Sequence, residues 1–147
     1  AVNSGLIDAI ATDHAPHLLN EKEGGALKAM SGMPMIQFSL VSMLELVDKG
    51  IFPIEKVVEK MSHAPAQMYQ INNRGFIHKG YQADLVLVRP DSEWTVTADC
   101  ILSKCKWSPL EGRTLHWKVE KTFVNGHLLY NNGEIDDTYR GQELRFR

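Results

Sequence analysis

Residues 6–17 read Leu-Ile-Asp-Ala-Ile-Ala-Thr-Asp-His-Ala-Pro-His, an apolar run that turns abruptly polar. The run Leu6–Thr12 has the length and composition of a buried strand, so we predict a strand that ends at Asp13. Where parallel strands close into a barrel, side chains at their carboxyl ends face the reaction site. The stretch therefore places one carboxylate and two imidazoles, those of His14 and His17, at a candidate catalytic edge.

The carboxylate of Asp13 suits metal-assisted hydrolysis in two ways. It can ligate a divalent metal, and it can take a proton from metal-bound water. The residues alone leave a second interpretation open, in which Asp13 caps the following turn and both imidazoles are surface groups. The other histidines do not decide between these interpretations, because they are scattered over different predicted elements: His63, His78, His116 and His127.

The rest of the first half of the chain is predicted to be a loop followed by helices. Residues 14–35 show no hydrophobic period and contain several glycines, which predicts a long loop of the kind that often carries function. Apolar residues at helical spacing, with prolines at the openings of the later elements, predict three separate helices over residues 38–50, 54–61 and 65–71. We therefore assign residues 1–71 to one unit of strand, loop and helices.

From residue 72 onward the pattern becomes strand-like. Ala83–Val88 is a strong strand candidate that Pro90 ends. Asn125-Gly126 is the sequence most favoured in a two-residue hairpin turn, and strand candidates flank it on both sides. Trp94–Thr97 is a shorter candidate, and the polar tail after Asn131 is predicted to be irregular. We assign residues 72–147 to a second, β-rich unit.

Composition limits the classes of function. The chain has 147 residues, 44% of them hydrophobic, which is enough to build a core. Lys and Arg number 16 against 18 Asp and Glu, a balance that gives no reason to expect a nucleic-acid partner. No apolar run approaches the roughly 20 residues of a membrane span, and residues 1–5 do not have the character of a signal peptide. Two cysteines, Cys100 and Cys105, make no disulfide framework, so we expect a reducing cytoplasm.

Several motifs carry a resemblance to a known family. Ile10–His17, followed by Glu21-Lys22, resembles the last catalytic strand and loop of the dihydroorotase family of cyclic amidohydrolases. Lys79–Leu87 resembles the motif with which amidohydrolase chains leave the barrel and enter a small β-rich domain. Ser62–Ala66 resembles a helix-opening segment of the family, although Ala64 stands where Asn is usual. Two later motifs, at residues 107–112 and 122–126, extend the likeness over nearly the whole chain.

The resemblance implies an α/β fold in two parts. Residues 1–71 would form the last strand and helices of a metal-dependent TIM-type barrel, and residues 72–147 a small β-rich composite sandwich. The implied activity is the interconversion of N-carbamoyl-L-aspartate and dihydroorotate in pyrimidine biosynthesis, with a small-molecule substrate as partner and a homodimer left open as the assembly. Two alternatives stay open: an allantoinase- or hydantoinase-type amidohydrolase, and a catalytically inactive dihydroorotase-like scaffold subunit.

The resemblance also implies roles for individual residues. Asp13 matches the aspartate that binds the more exposed metal of a one- or two-zinc site and acts as general acid and base. His17 matches a residue that hydrogen-bonds the substrate's carboxylate, and Ser31 with Gly32 matches a backbone stretch that contacts substrate. The family's other metal ligands include a His-x-His pair, which this chain lacks. We therefore expect the 147 residues alone to be inactive and to bind no stoichiometric zinc.

Overall fold

The computed structural model describes residues 1–147. The chain is α/β, with helices in its first half and antiparallel strands in its second. The helices are α1 Ser39–Asp48, α2 Ile54–Val58 and α3 Ala64–Met68, and the strands are β1 Leu85–Arg89, β2 Trp94–Thr95, β3 Thr114–Leu115, β4 Lys118–Val124, β5 His127–Asn131 and β6 Glu134–Ile135. None of the helices has the length and apolar character needed to cross a bilayer.

The strands form a four-stranded sheet in the order β1-β4-β5-β6 and a separate ribbon of β2 and β3, with every pairing antiparallel. Asn125 and Gly126 join β4 to β5 with positive φ angles of 51° and 84°, the backbone that the most favoured two-residue hairpin turn requires. This confirms the predicted hairpin. β6 was not predicted, because a strand of two residues is too short to show an alternating pattern.

The second and third predicted helices are joined. A π-helical turn, Glu59–His63, connects α2 directly to α3, so the predicted break between them is wrong. In a regular α-helix the ring of Pro65 would clash with the carbonyl four residues before it. The wider π-helical turn ahead of Pro65 relieves that clash, and the proline then lies in the first turn of α3.

The predicted strand over Leu6–Thr12 is not formed. A strand needs hydrogen-bonded neighbours, and no strand of these 147 residues lies beside this segment. One bond ties the segment to the helices, from the Ile10 N–H to the Lys60 carbonyl at 3.0 Å. The apolar side chains of the run are therefore not buried as predicted: Leu6 is 80% exposed.

One hydrophobic core connects the two halves of the chain. Its buried members come from the start and face of α1, from β3 and the long connection before it, and from the link between β3 and β4: Phe38, Val41, Leu44, Val96, Ile101, Leu115 and Trp117. The carboxylate of Asp48 accepts a hydrogen bond from the indole N–H of Trp117 at 2.8 Å, which ties the end of α1 to the same ribbon. The core therefore draws on both of the predicted units, 1–71 and 72–147.

Candidate active site

Asp13 lies at a sharp change of backbone direction. Its φ angle is 45°, in the left-handed region that few residues other than glycine adopt, although aspartate and asparagine tolerate it best. The residue is exposed, and no group of the chain donates a hydrogen bond to its carboxylate. The side chain is thus available to bind a cation or to exchange a proton.

The residues after Asp13 form a closed loop, here called the site loop, residues 14–36. Its two limbs run side by side where His14 pairs with Met33 in a parallel bridge. The Ala15 N–H donates to the Met33 carbonyl at 3.1 Å, and the Ile36 N–H donates to Nδ1 of His14 at 3.2 Å. The imidazole of His14, to which the sequence assigned no role, therefore holds the loop together.

Gly32 brings the far limb of the site loop against Asp13 and Ala15. A Cβ atom at Gly32 would lie 2.5 Å from Cβ of Ala15 and 3.8 Å from the Asp13 carbonyl oxygen, and the φ angle of Gly32 is 86°. Both observations require glycine at this position. Ser31 and Gly32 are exposed, and their N–H groups donate to no acceptor within the chain. Two free backbone donors thus lie beside the Asp13 backbone.

His17 lies in the first limb of the site loop and is held from two sides. Its carbonyl accepts a hydrogen bond from the indole N–H of Trp107 at 2.7 Å. Its Nδ1 lies 3.8 Å from Oε2 of Glu21, and its side chain is 31% exposed. The backbone of His17 is therefore held in place, and its ring lies near Glu21 and remains accessible.

The residues of this chain do not complete a metal site. No group of three or more His, Cys, Asp or Glu side chains is arranged to hold a metal ion. Catalytic zinc generally takes three protein ligands, and Asp13 offers one. The expectation of zinc therefore remains a proposal about a site that needs ligands from outside these residues.

Two residues that shape the site loop were missed by the sequence analysis. Lys22 donates to two carbonyls of the far limb, and Trp107 binds the carbonyl of His17. Glu21 and Lys22 belong to the stretch that carries the family resemblance, which was the available signal. The partners of Lys22 lie eight and ten residues further along the chain, and Trp107 lies 90 residues from His17, so no local pattern indicated what they bind.

Comparison with known proteins identifies the family of the chain. The model of the amidohydrolase family matches residues 1–129. This chain belongs to the amidohydrolase family. Among curated proteins it is 36% identical to a dihydroorotase of Pyrococcus furiosus over 97% of the chain, and 42% identical to a dihydroorotase of Clostridioides difficile over 88% of the chain. The matches span 33% and 30% of those two relatives, so the chain covers about a third of their length.

Solved structures place the fold in the same family. The chain superposes on L-hydantoinase (dihydropyrimidinase) from Arthrobacter aurescens with a TM-score of 0.85 and 32% identity, covering 91% of this chain and 31% of that one. Dihydropyrimidinase from Brevibacillus agri gives a TM-score of 0.85 at 25% identity, over 92% and 31% of the two chains. The resemblance to dihydroorotases and the α/β class are thus confirmed. The division into barrel and sandwich remains a prediction.

Proposed function

We propose that the complete protein carrying this chain is a cytoplasmic, zinc-dependent dihydroorotase that interconverts N-carbamoyl-L-aspartate and dihydroorotate in pyrimidine biosynthesis. The observation that carries the proposal is the arrangement of the site loop, in which the limb with the unpaired N–H groups of Ser31 and Gly32 packs against Ala15 and the backbone of Asp13, whose carboxylate is free. The dihydroorotases among the curated relatives support the choice of reaction. Two free thiols, Cys100 and Cys105, support a reducing compartment.

Each site residue has a role that its geometry permits. Asp13 accepts a proton from the attacking water and returns it to the leaving ring nitrogen, since its carboxylate is exposed and unpaired. The N–H groups of Ser31 and Gly32 bind a polar group of the ring from one side. His17 binds the carboxylate that dihydroorotate carries and that a plain hydantoin ring lacks.

Asp13 would also be one ligand of the zinc, with the others supplied from outside this chain. Zinc in such a site polarises the amide carbonyl and makes water nucleophilic near neutral pH. To ligate zinc and to exchange a proton, Asp13 needs carboxylate oxygens that are accessible. The lack of any hydrogen bond to the Asp13 carboxylate within the chain meets this condition.

A hydantoinase-type reaction is the second candidate, because solved hydantoinases superpose well on the chain. The two reactions differ in the charge of the substrate. An imidazole suits a substrate carboxylate, and His17 offers an accessible imidazole within the site loop, with its side chain 31% exposed. The dihydroorotase reaction therefore explains the site better.

Steady-state kinetics of the complete enzyme on dihydroorotate, hydantoin and allantoin test the proposal. We expect the highest kcat/KM on dihydroorotate. His17→Ala should raise KM for dihydroorotate by about tenfold or more, the scale of a lost hydrogen bond to a charged group. A control, His78→Ala, removes an exposed imidazole from outside the site loop and should leave KM unchanged. Faster hydrolysis of hydantoin or allantoin than of dihydroorotate would refute the proposal.

A further inference from the structure

Lys22 lies inside the site loop and bridges its two limbs. Its ammonium donates to the carbonyl of Met30 and, at 2.8 Å, to the carbonyl of Gly32. Lys22 is itself on the near limb, five residues after His17. Both bonds have a charged donor, and such bonds are about twice as strong as neutral ones.

Backbone hydrogen bonds next to Lys22 also join the two limbs of the site loop. The Met30 N–H donates to the Glu21 carbonyl at 3.0 Å, so the residue before Lys22 binds the far limb as well. The Glu21 carboxylate accepts the Leu18 N–H at 2.6 Å and approaches the ring of His17. The pair Glu21-Lys22 thus contacts both the His17 end and the Ser31-Gly32 end of the loop.

The bond to Met30 fixes the direction of a neighbouring donor. The chain has no cis peptide bonds, and in a trans peptide the carbonyl of one residue points opposite to the N–H of the next. Because the Met30 carbonyl points toward Lys22, the Ser31 N–H points away from Lys22. That N–H is one of the two free donors of the candidate site.

The indole of Trp107 lies near the ammonium of Lys22. The ammonium lies 6.0 Å from the centre of the indole ring, a distance at which a cation is still attracted to the ring face. The same indole donates to the His17 carbonyl. A tryptophan from outside the loop therefore contacts both His17 and Lys22.

From these contacts we propose that Lys22 is a positioning residue for substrate binding, which holds the backbone donors of Ser31 and Gly32 in place through the carbonyls of Met30 and Gly32. The role rests on the proposed function of the site loop. Lys22 itself does not touch the reacting atoms. Its removal should weaken substrate binding more than it slows the chemical step.

The test compares Lys22→Met with Lys28→Met in the complete enzyme. Lys28 is an exposed lysine of the same loop whose ammonium makes no hydrogen bond, so its removal controls for the lost charge. We expect Lys22→Met to raise KM for dihydroorotate roughly tenfold to a hundredfold, as for losing bonds to a charged donor. We expect kcat to stay within a few-fold of the wild-type value, and the metal content and melting temperature to be unchanged. Lys22→Arg, which keeps cationic donors, should have a KM close to that of the wild type.

Hydrogen exchange provides a readout that does not depend on the reaction. Lys22→Met should speed exchange of the Met30 and Ala15 amides, which are bonded across the two limbs, and Lys28→Met should not. Unchanged amide exchange and KM in Lys22→Met would overturn the proposal. So would an equal rise in KM in Lys22→Met and Lys22→Arg. If the wild-type enzyme does not turn over dihydroorotate, the proposed function fails while the exchange result still decides the role of Lys22.

Discussion

The core and the site loop are held together by different forces. In the core, the side chains of Phe38, Val96 and Ile101 are at most 2% exposed and pack between α1 and the ribbon of β2 and β3. In the site loop, Leu27 is fully exposed, and the limbs are joined by hydrogen bonds from backbone and side-chain donors. The stability of the molecule and the shape of its candidate site therefore depend on separate residues.

This difference predicts that substitutions in the loop alter function without unfolding the chain. Removing buried apolar volume costs both transfer free energy and cavity free energy. Removing one polar contact of an exposed loop mainly releases that loop, because water can satisfy the freed groups. Substitutions in the two regions should thus separate stability from substrate binding.

The largest expected effect on stability is in the core. Ile101→Ala should lower the free energy of unfolding by about 2–5 kcal/mol, since Ile101 is 1% exposed and its removal leaves a cavity. Thermal unfolding of the complete enzyme measures the loss. Leu27→Ala removes a similar side chain from the surface of the site loop and should leave the melting temperature unchanged. Equal shifts in the two variants would show that the core does not dominate stability.

A smaller effect is expected at Gly32, on binding rather than stability. Gly32→Ala places a methyl group 2.5 Å from Cβ of Ala15, so the far limb must move. We expect KM for dihydroorotate to rise by about tenfold, the scale of about 1.4 kcal/mol of lost contacts. Gly25→Ala is the matched control, because Gly25 also has a positive φ angle but open space around it. A KM that rises equally in both variants would assign the effect to backbone strain and not to the Gly32–Ala15 contact.

The smallest expected effect concerns an ion pair that ties α1 to the ribbon. Burial raises the pKa of Glu45, but hydrogen bonds from the backbone N–H and ring of His116 and from the Trp117 N–H outweigh it, so the pKa is lowered from 4.5. The hydrogen bond to Glu45 raises the pKa of His116 from 6.5.

The sign of the pH dependence follows from these two shifts. The stabilisation by Glu45 is fully present above its unfolded pKa and is lost as pH falls through the lowered folded value. The stabilisation by His116 is fully present below 6.5 and is lost as pH rises through the raised folded value. The pair should therefore stabilise most between pH 4.5 and 6.5. Melting temperatures across pH should show this window in the wild type and lose it in Glu45→Gln, whereas Glu55→Gln, at an exposed position, should keep it.

Local features of the fold could be predicted from the sequence, and features that depend on distant partners could not. Asn125-Gly126 specifies a hairpin because these two residues readily adopt the positive φ angles that the two-residue turn requires. The apolar run Leu6–Thr12 has strand character, yet it forms no strand because pairing depends on neighbours that these residues do not provide. The π-helical turn before Pro65 was missed because the proline pattern alone favours a new helix at that point.

In the candidate site, too, some features could be predicted from the sequence and others could not. Asp13, His17, Ser31 and Gly32 were identified through the family resemblance, and their roles remain predictions. The packing of Gly32 on Ala15 and the bridging by Lys22 depend on how the loop closes, which no spacing in the sequence shows. The site residues could thus be named from the sequence, but the contacts that hold them could not.

In the proposed function, the carboxylate of Asp13 carries out proton transfer in cyclic amide hydrolysis. The most direct measurement is turnover of dihydroorotate by the complete enzyme with Asp13→Asn, against Asp8→Asn, which alters an exposed aspartate five residues earlier. We predict that kcat falls by about a hundredfold or more in Asp13→Asn, the scale of lost general acid–base catalysis, with an unchanged melting temperature. Asp8→Asn should match the wild type. Near-normal turnover by a folded Asp13→Asn enzyme would contradict the role of Asp13 in proton transfer.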